Sequence, residues 1–171
     1  MFFVFVEGVD DERFFKSYFS NRYADLVIIQ YANLQKDKII KFIKSIQSTP
    51  DSDYIFLGDE DGETIEGKTE KIMQCYSSLE REKIYIVQFE IESWYYAGLS
   101  PENHKKLKLK KYEFHTNSLT KEKFNSKIPN IRDRIFIMEQ ILIMFSIDLA
   151  KKRNNSFCCF TQSILVKPFC S

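Results

Sequence analysis

Four short apolar runs mark the first half of the chain, and three of them end in carboxylates. Phe2-Phe3-Val4-Phe5-Val6 ends at Glu7. Tyr54-Ile55-Phe56-Leu57 runs into Asp59 and Asp61. Ile84-Tyr85-Ile86-Val87 leads to Glu90 and Glu92. Runs of this length, rich in β-branched and aromatic residues, predict buried strands, and Leu26–Tyr31 reads as another. Between them the spacing turns helical. Asp10 or Asp11 caps a predicted helix running to about Asn21, with Phe14, Phe15, Tyr18 and Phe19 on its apolar face. Asp37–Ile46 carries Ile39, Ile40, Phe42, Ile43 and Ile46 on one side. A weaker helix is expected over 69–79 and another through Trp94-Tyr95-Tyr96. Strands alternating with helices predict an α/β fold, a parallel sheet of about four strands flanked by helices. Right-handed crossovers then bring the strand ends to one edge, where open parallel sheets hold their functional crevice.

After Pro101 the pattern changes. Residues 104–127 are Lys-rich and lack strong periodicity. Ile131–Leu149 predicts one long helix with a wide apolar face, broken at Asn154-Asn155-Ser156 before a last helix over Phe157–Leu165. The expected organisation is an α/β core over 1–100, with 101–171 as a basic loop and helical extension packing on the same domain. The apolar stretch 135–149 is interrupted by Glu139 and Asp148, so it reads as a core helix and no membrane partner is expected.

Charge sharpens this division. Residues 1–102 hold 11 Lys/Arg against 19 Asp/Glu, and 103–171 hold 14 against 5. An acidic half suited to metal precedes a basic half suited to phosphates. The 16 Phe and 9 Tyr predict an aromatic core. Cys75, Cys158, Cys159 and Cys170 fit no zinc spacing and read as reduced thiols of a cytoplasmic protein.

Carboxylates from three strand ends make a hard, oxygen-rich site of the kind Mg²⁺ or Mn²⁺ prefers. Asp59 and Asp61, two residues apart in an extended loop, would point the same way and could share one ion. Gly8 lets the chain turn after Glu7. Asp10, Asp11 and Glu12 suit the helix N-terminus, with Asp11 also a candidate ligand. Lys105, Lys106, Lys108, Lys110 and Lys111 could track a phosphate backbone, or form a solvated loop. Lys151, Lys152 and Arg153 could complement a helix C-terminus, and Lys151 or Lys152 could instead stabilise a reacting phosphate. His104 and His115 read as surface residues, and Trp94 as core.

Val4-Phe5-Val6-Glu7-Gly8, with Asp11 close behind, and Phe56-Leu57-Gly58-Asp59-Glu60-Asp61-Gly62 together resemble the Toprim domain of topoisomerases, primases and OLD-type nucleases. The resemblance covers roughly residues 2–92 and implies a Rossmann-like sheet. Phe89-Glu90-Ile91-Glu92-Ser93-Trp94 looks like the Glu-x-Trp element of small stand-alone bacterial versions. Asn154-Asn155-Ser156-Phe157 is similar to their C-terminal element. The resemblance implies Glu7 as metal ligand or acid/base, Asp59 and Asp61 as Mg²⁺ ligands, and Glu92 as support for a second metal. Within these 171 residues neither a topoisomerase tyrosine domain nor primase zinc and helical domains are expected, and no phosphate-loop motif occurs. A metal-dependent nuclease acting on DNA or RNA is the expectation. By analogy it works beside a separately encoded ATPase in defence against phages. The rival expectation is a non-catalytic module that binds such an ATPase or nucleic acid. A phosphoacceptor receiver, suggested by Asp10-Asp11, is opposed by Asp59-x-Asp61 and by the lack of a strand-end lysine.

Overall fold

A computed structural model describes residues 1–19 and 23–165. The chain divides into two compact units, Met1–Val87 and Gln88–Ser171. The division falls some dozen residues before the change of character that the sequence shows at Pro101.

The first unit is a four-stranded sheet in the order β2-β1-β3-β4, made of β1 (Phe2–Val6), β2 (Leu26–Gln30), β3 (Asp53–Asp59) and β4 (Ile84–Val87). Every pairing is parallel, with Val4 opposite Ile28 and Ile55, and Asp59 opposite Val87. The helices between strands are α1 (Val9–Phe19), α2 (Lys36–Gln47) and α3 (Ile65–Cys75). All five residues of β1 are buried, which explains the unbroken apolar run: a central parallel strand is covered on both faces. Alternate side chains serve opposite faces. Phe2 meets Phe19 of α1, whereas Phe3 and Phe5 meet Phe42 of α2. Phe3 and Phe5 join Ile39, Ile43, Phe56 and Ile72 in one core cluster. The end expected for α1 near Asn21 lies outside the described residues.

The second unit is helical: α4 (Glu92–Ala97), α5 (Pro101–Lys106), α6 (Lys121–Lys127), α7 (Arg134–Ile143), α8 (Ile147–Arg153) and α9 (Asn155–Leu165). The Lys-rich stretch 104–127 lies inside this unit and runs from the end of α5 through α6. All six residues of α4 are buried. Trp94 packs against Phe157 and Phe160, and its indole N–H donates to Ser156 Oγ at 2.8 Å. The single helix expected over 131–149 is two. Ser146 caps α8 by accepting from Leu149 N–H, and its own N–H donates to Gly98 O at 3.0 Å. That pairing takes Ser146 out of a continuous helical ladder and ends α7. Phe145 lies where a Cβ on Gly98 would stand, 2.3 Å from it, so the close approach depends on glycine.

Among the described residues, no helix is long and apolar enough to cross a membrane. Cys75, Cys158 and Cys159 are free thiols. Cys170 lies outside the described residues.

Candidate active site

In the order β2-β1-β3-β4 the chain steps from β1 to one side and then crosses to the other, so the topological switch point lies between β1 and β3. Glu7 directly follows β1, and Asp59 is the last residue of β3. Both carboxylates therefore sit at the carboxyl edge of neighbouring strands. Glu7 is exposed and Asp59 half-buried. Tyr31, in a 3-10 turn just after β2, reaches the same edge, and its hydroxyl donates to Glu7 Oε2 at 3.4 Å. Burial pushes the Tyr31 phenol far above its ordinary range, and the negative charges of Glu7, Asp59 and Asp11 push it further. One hydroxyl thus feels three of the predicted acidic residues.

Asp11 is buried in the first turn of α1, and its Oδ2 accepts from Gly8 N–H at 3.1 Å. It holds the turn between β1 and α1, as the helix-terminal reading expects. Asp61 departs from the extended geometry anticipated for Asp59-x-Asp61. Asp61 and Gly62 both have positive φ, 51° and 75°, and form a tight left-handed turn. The strand alternation that would align Asp61 with Asp59 stops at Glu60, whose N–H donates to Val87 O. Asp61 is instead ion-paired with Lys68 of α3. Burial alone would lower the Lys68 ammonium, but Asp61, Glu7 and Glu63 together hold it above its usual value. Glu63 pairs with Lys71 at 2.7 Å. Among the described residues, no group of three His, Cys, Asp or Glu side chains stands ready to hold one ion.

An open cavity of about 260 Å³ adjoins this edge. Glu7, Asp61 and Lys68 line its polar side, and Tyr31, Phe56 and Tyr76 its aromatic side.

The remaining predicted residues belong to the second unit. Glu92 is 2% exposed at the start of α4, and Arg134 Nη2 donates to its Oε1 at 2.5 Å. Glu90 Oε2 accepts from Lys121 N–H at 2.5 Å. Lys105, Lys106, Lys108, Lys110 and Lys111 are all exposed, and Lys106 pairs with Glu102 one turn away. Lys108 and Lys111 have positive φ, which gives this segment its irregular course. Lys151 is half-buried and Lys152 exposed.

The buried cation of that cluster is Arg153, 1% exposed. Its guanidinium donates to the carbonyls of Tyr96, Ala97, Leu99, Glu113 and Phe114, and lies over the Tyr112 ring. A cation at the last carbonyls of α4 satisfies groups the helix cannot satisfy itself. Next to it, Asn154 Oδ1 accepts from Ser156 Oγ and Phe157 N–H, and Nδ2 donates to Ser93 and Thr116. The Asn154-Asn155-Ser156-Phe157 element is thus a polar clasp on α4. Ala150 and Arg153, both buried and three apart, share one face of α8. That spacing is the sequence signal that separates Arg153 from its lysine neighbours.

His104 departs from the surface position expected of it. It is 5% exposed, edge-on to Tyr96 and Tyr112. Its Nε2 and the Tyr112 hydroxyl are buried and make no hydrogen bond. His115 is exposed, as expected. Comparison of the chain with protein-family models, with curated proteins and with solved structures returns no match.

Proposed function

We propose that this chain is a Toprim-like nuclease that uses Mg²⁺ or Mn²⁺ to hydrolyse phosphodiester bonds of DNA or RNA. The observation that carries the reading is the placement of Glu7 and Asp59 at the ends of the neighbouring strands β1 and β3, at the switch point, both within the electrostatic reach of Tyr31. The donor set fits the ion. Mg²⁺ commonly takes one or two carboxylates and completes its shell with water and substrate phosphate, so a closed protein cage is not required. Glu7 and Asp59 would hold the ion, with Asp61 available on release from Lys68. The ion would supply charge stabilisation at the phosphodiester. Glu7, exposed and oriented by Tyr31, would take the proton of the attacking water. Asp11 would keep the β1–α1 turn in shape through Gly8. Glu92, held by Arg134, would support α4 rather than bind a second metal.

The reading extends to a cytoplasmic enzyme of anti-phage defence working with a separately encoded ATPase. The exposed lysines 105–111, with Lys151 and Lys152, would meet phosphates on the surface of their own unit.

One observation favours a second reading, a binding module without chemistry: Asp61 is already neutralised by Lys68. The two readings differ in thermal unfolding with and without the ion. An ion bound to the folded state raises Tm, and Asp59→Ala with Asp61→Ala removes that rise under the nuclease reading. A rise that survives in the double variant contradicts the assigned ligands.

A further inference from the structure

We propose that the cavity beside Glu7 is a seat for one unpaired nucleobase, so that the chain takes single strands or frayed ends in preference to duplex. The proposal rests on the nuclease reading for its substrate class and deepens it.

The cavity's wall is aromatic where its rim is charged. Tyr31 stacks on Phe56 with ring centroids 4.5 Å apart and planes at 22°. Tyr76, the residue that ends α3, closes the corner at 5.2 Å from Phe56. Tyr31 and Tyr76 are half-buried, and both line the cavity. Aromatic faces of this kind hold bases by stacking, which tolerates any base because every base has a π-face. The volume of about 260 Å³ sets the size of the guest. It lies at or below the lower end of the ~300–1,000 Å³ of drug-sized pockets, room for one ring system and its sugar rather than for a base pair.

Charge gives the guest its direction. Lys71 lines the cavity, its side chain is two-thirds exposed, and it pairs with Glu63 at 2.7 Å. A phosphate flanking the seated base can exchange Glu63 for itself at that ammonium. Glu7 and Tyr31, where the proposed chemistry lies, line the same cavity. A base stacked there would put one neighbouring phosphate at Lys71 and the next toward Glu7. A base inside a duplex presents no free face and would first have to leave the stack.

The test uses the full chain and a short single strand carrying 2-aminopurine, whose fluorescence falls when it stacks, with Ca²⁺ in place of Mg²⁺. The expected result is quenching by wild type and by Tyr76→Phe, with affinity about tenfold weaker in Tyr76→Ala. A blunt duplex of the same sequence should give no quenching and no response to Tyr76→Ala. Absence of quenching by wild type, or equal quenching by Tyr76→Ala, overturns the seat. If Tyr76→Ala does not fold, alkylation of Cys75 decides. This exposed thiol lines the same cavity, and the single strand should protect it in wild type. No protection overturns the proposal. A chain that quenches the strand but cleaves nothing in Mg²⁺ keeps the seat and refutes the nuclease reading. Cleavage without quenching or protection does the reverse.

Discussion

The Tyr31 hydroxyl donates to Glu7 Oε2 at 3.4 Å, tying the turn after β2 to the end of β1. The bond is long and exposed, so its contribution to stability is small. Its contribution to orientation is larger, because it fixes the direction of an exposed carboxylate. Tyr31→Phe keeps the stack on Phe56 and removes only the donor. Tm should change by no more than the equivalent of about 1 kcal/mol, while cleavage falls several-fold with little change in binding. A kcat equal to wild type would remove Tyr31 from the orienting role.

Arg153 should be the most sensitive position of the second unit. Its guanidinium satisfies five carbonyls from a buried position. Arg153→Lys keeps the charge but not the planar fork, and leaves several buried acceptors without donors. Urea unfolding should show a loss of about 3 kcal/mol or more, with Arg153→Ala at least as severe. Lys152→Ala, at an exposed neighbour, should stay within about 0.5 kcal/mol.

Glu92, buried, and Arg134, half-buried, form an ion pair. Arg134→Met withdraws the cation and leaves the carboxylate in a nearly dry site, at a cost of about 3 kcal/mol. Glu92→Leu with Arg134→Leu should recover much of that loss, since apolar packing replaces a pair that was expensive to desolvate. Glu92→Gln should leave the Mn²⁺-induced rise in Tm unchanged. A rise reduced to nothing would make Glu92 a ligand after all.

His104 gives the fold a pH dependence of definite sign. Burial lowers its imidazole below the ordinary value, and Lys127 and Arg153 lower it further, against a raising hydrogen bond to the Lys110 backbone. The unfolded chain therefore binds the proton more readily than the folded one. Stability should fall as pH drops through about 6.5 and level off below the folded-state value. Glu113, held low by its bond to Lys127, contributes a separate loss at more acid pH. Tm measured from about pH 8 to 5 should show a shallower decline for His104→Gln than for wild type. Parallel curves would contradict the assignment.

The sheet was legible because β1 and β3 are buried along most of their length and read as apolar runs, and because Glu7 and Asp59 stand at or just past the ends of those runs. The fate of Asp61 was not legible. Its direction depends on a left-handed turn shared with Gly62, and Asp-x-Asp-Gly is equally compatible with extended and turned backbones. The break between α7 and α8 was hidden for a similar reason. Met144-Phe145-Ser146 carries no glycine or proline, and the stop comes from Ser146 pairing with Gly98, a contact far away in sequence. Lys151-Lys152-Arg153 reads as one cationic patch, and only the three-residue spacing from Ala150, on the buried face of α8, sets Arg153 apart. The burial of His104 likewise comes from Tyr96 and Tyr112, which nothing in the local sequence around it announces.

In the proposed nuclease, Glu7 takes part in phosphodiester hydrolysis. The most direct measurement is cleavage of labelled single-stranded DNA and RNA by wild type and Glu7→Gln at matched purity, in Mg²⁺, in Mn²⁺ and in chelator. The substitution keeps the size of an exposed strand-end side chain, so folding and nucleic-acid affinity should persist. Wild type should cleave only with the divalent ion, and Glu7→Gln should be slower by on the order of a hundredfold or more. Equal cleavage by the two proteins, or binding by wild type with no ion-dependent cleavage at all, would contradict the claim and leave the binding module as the account of this fold.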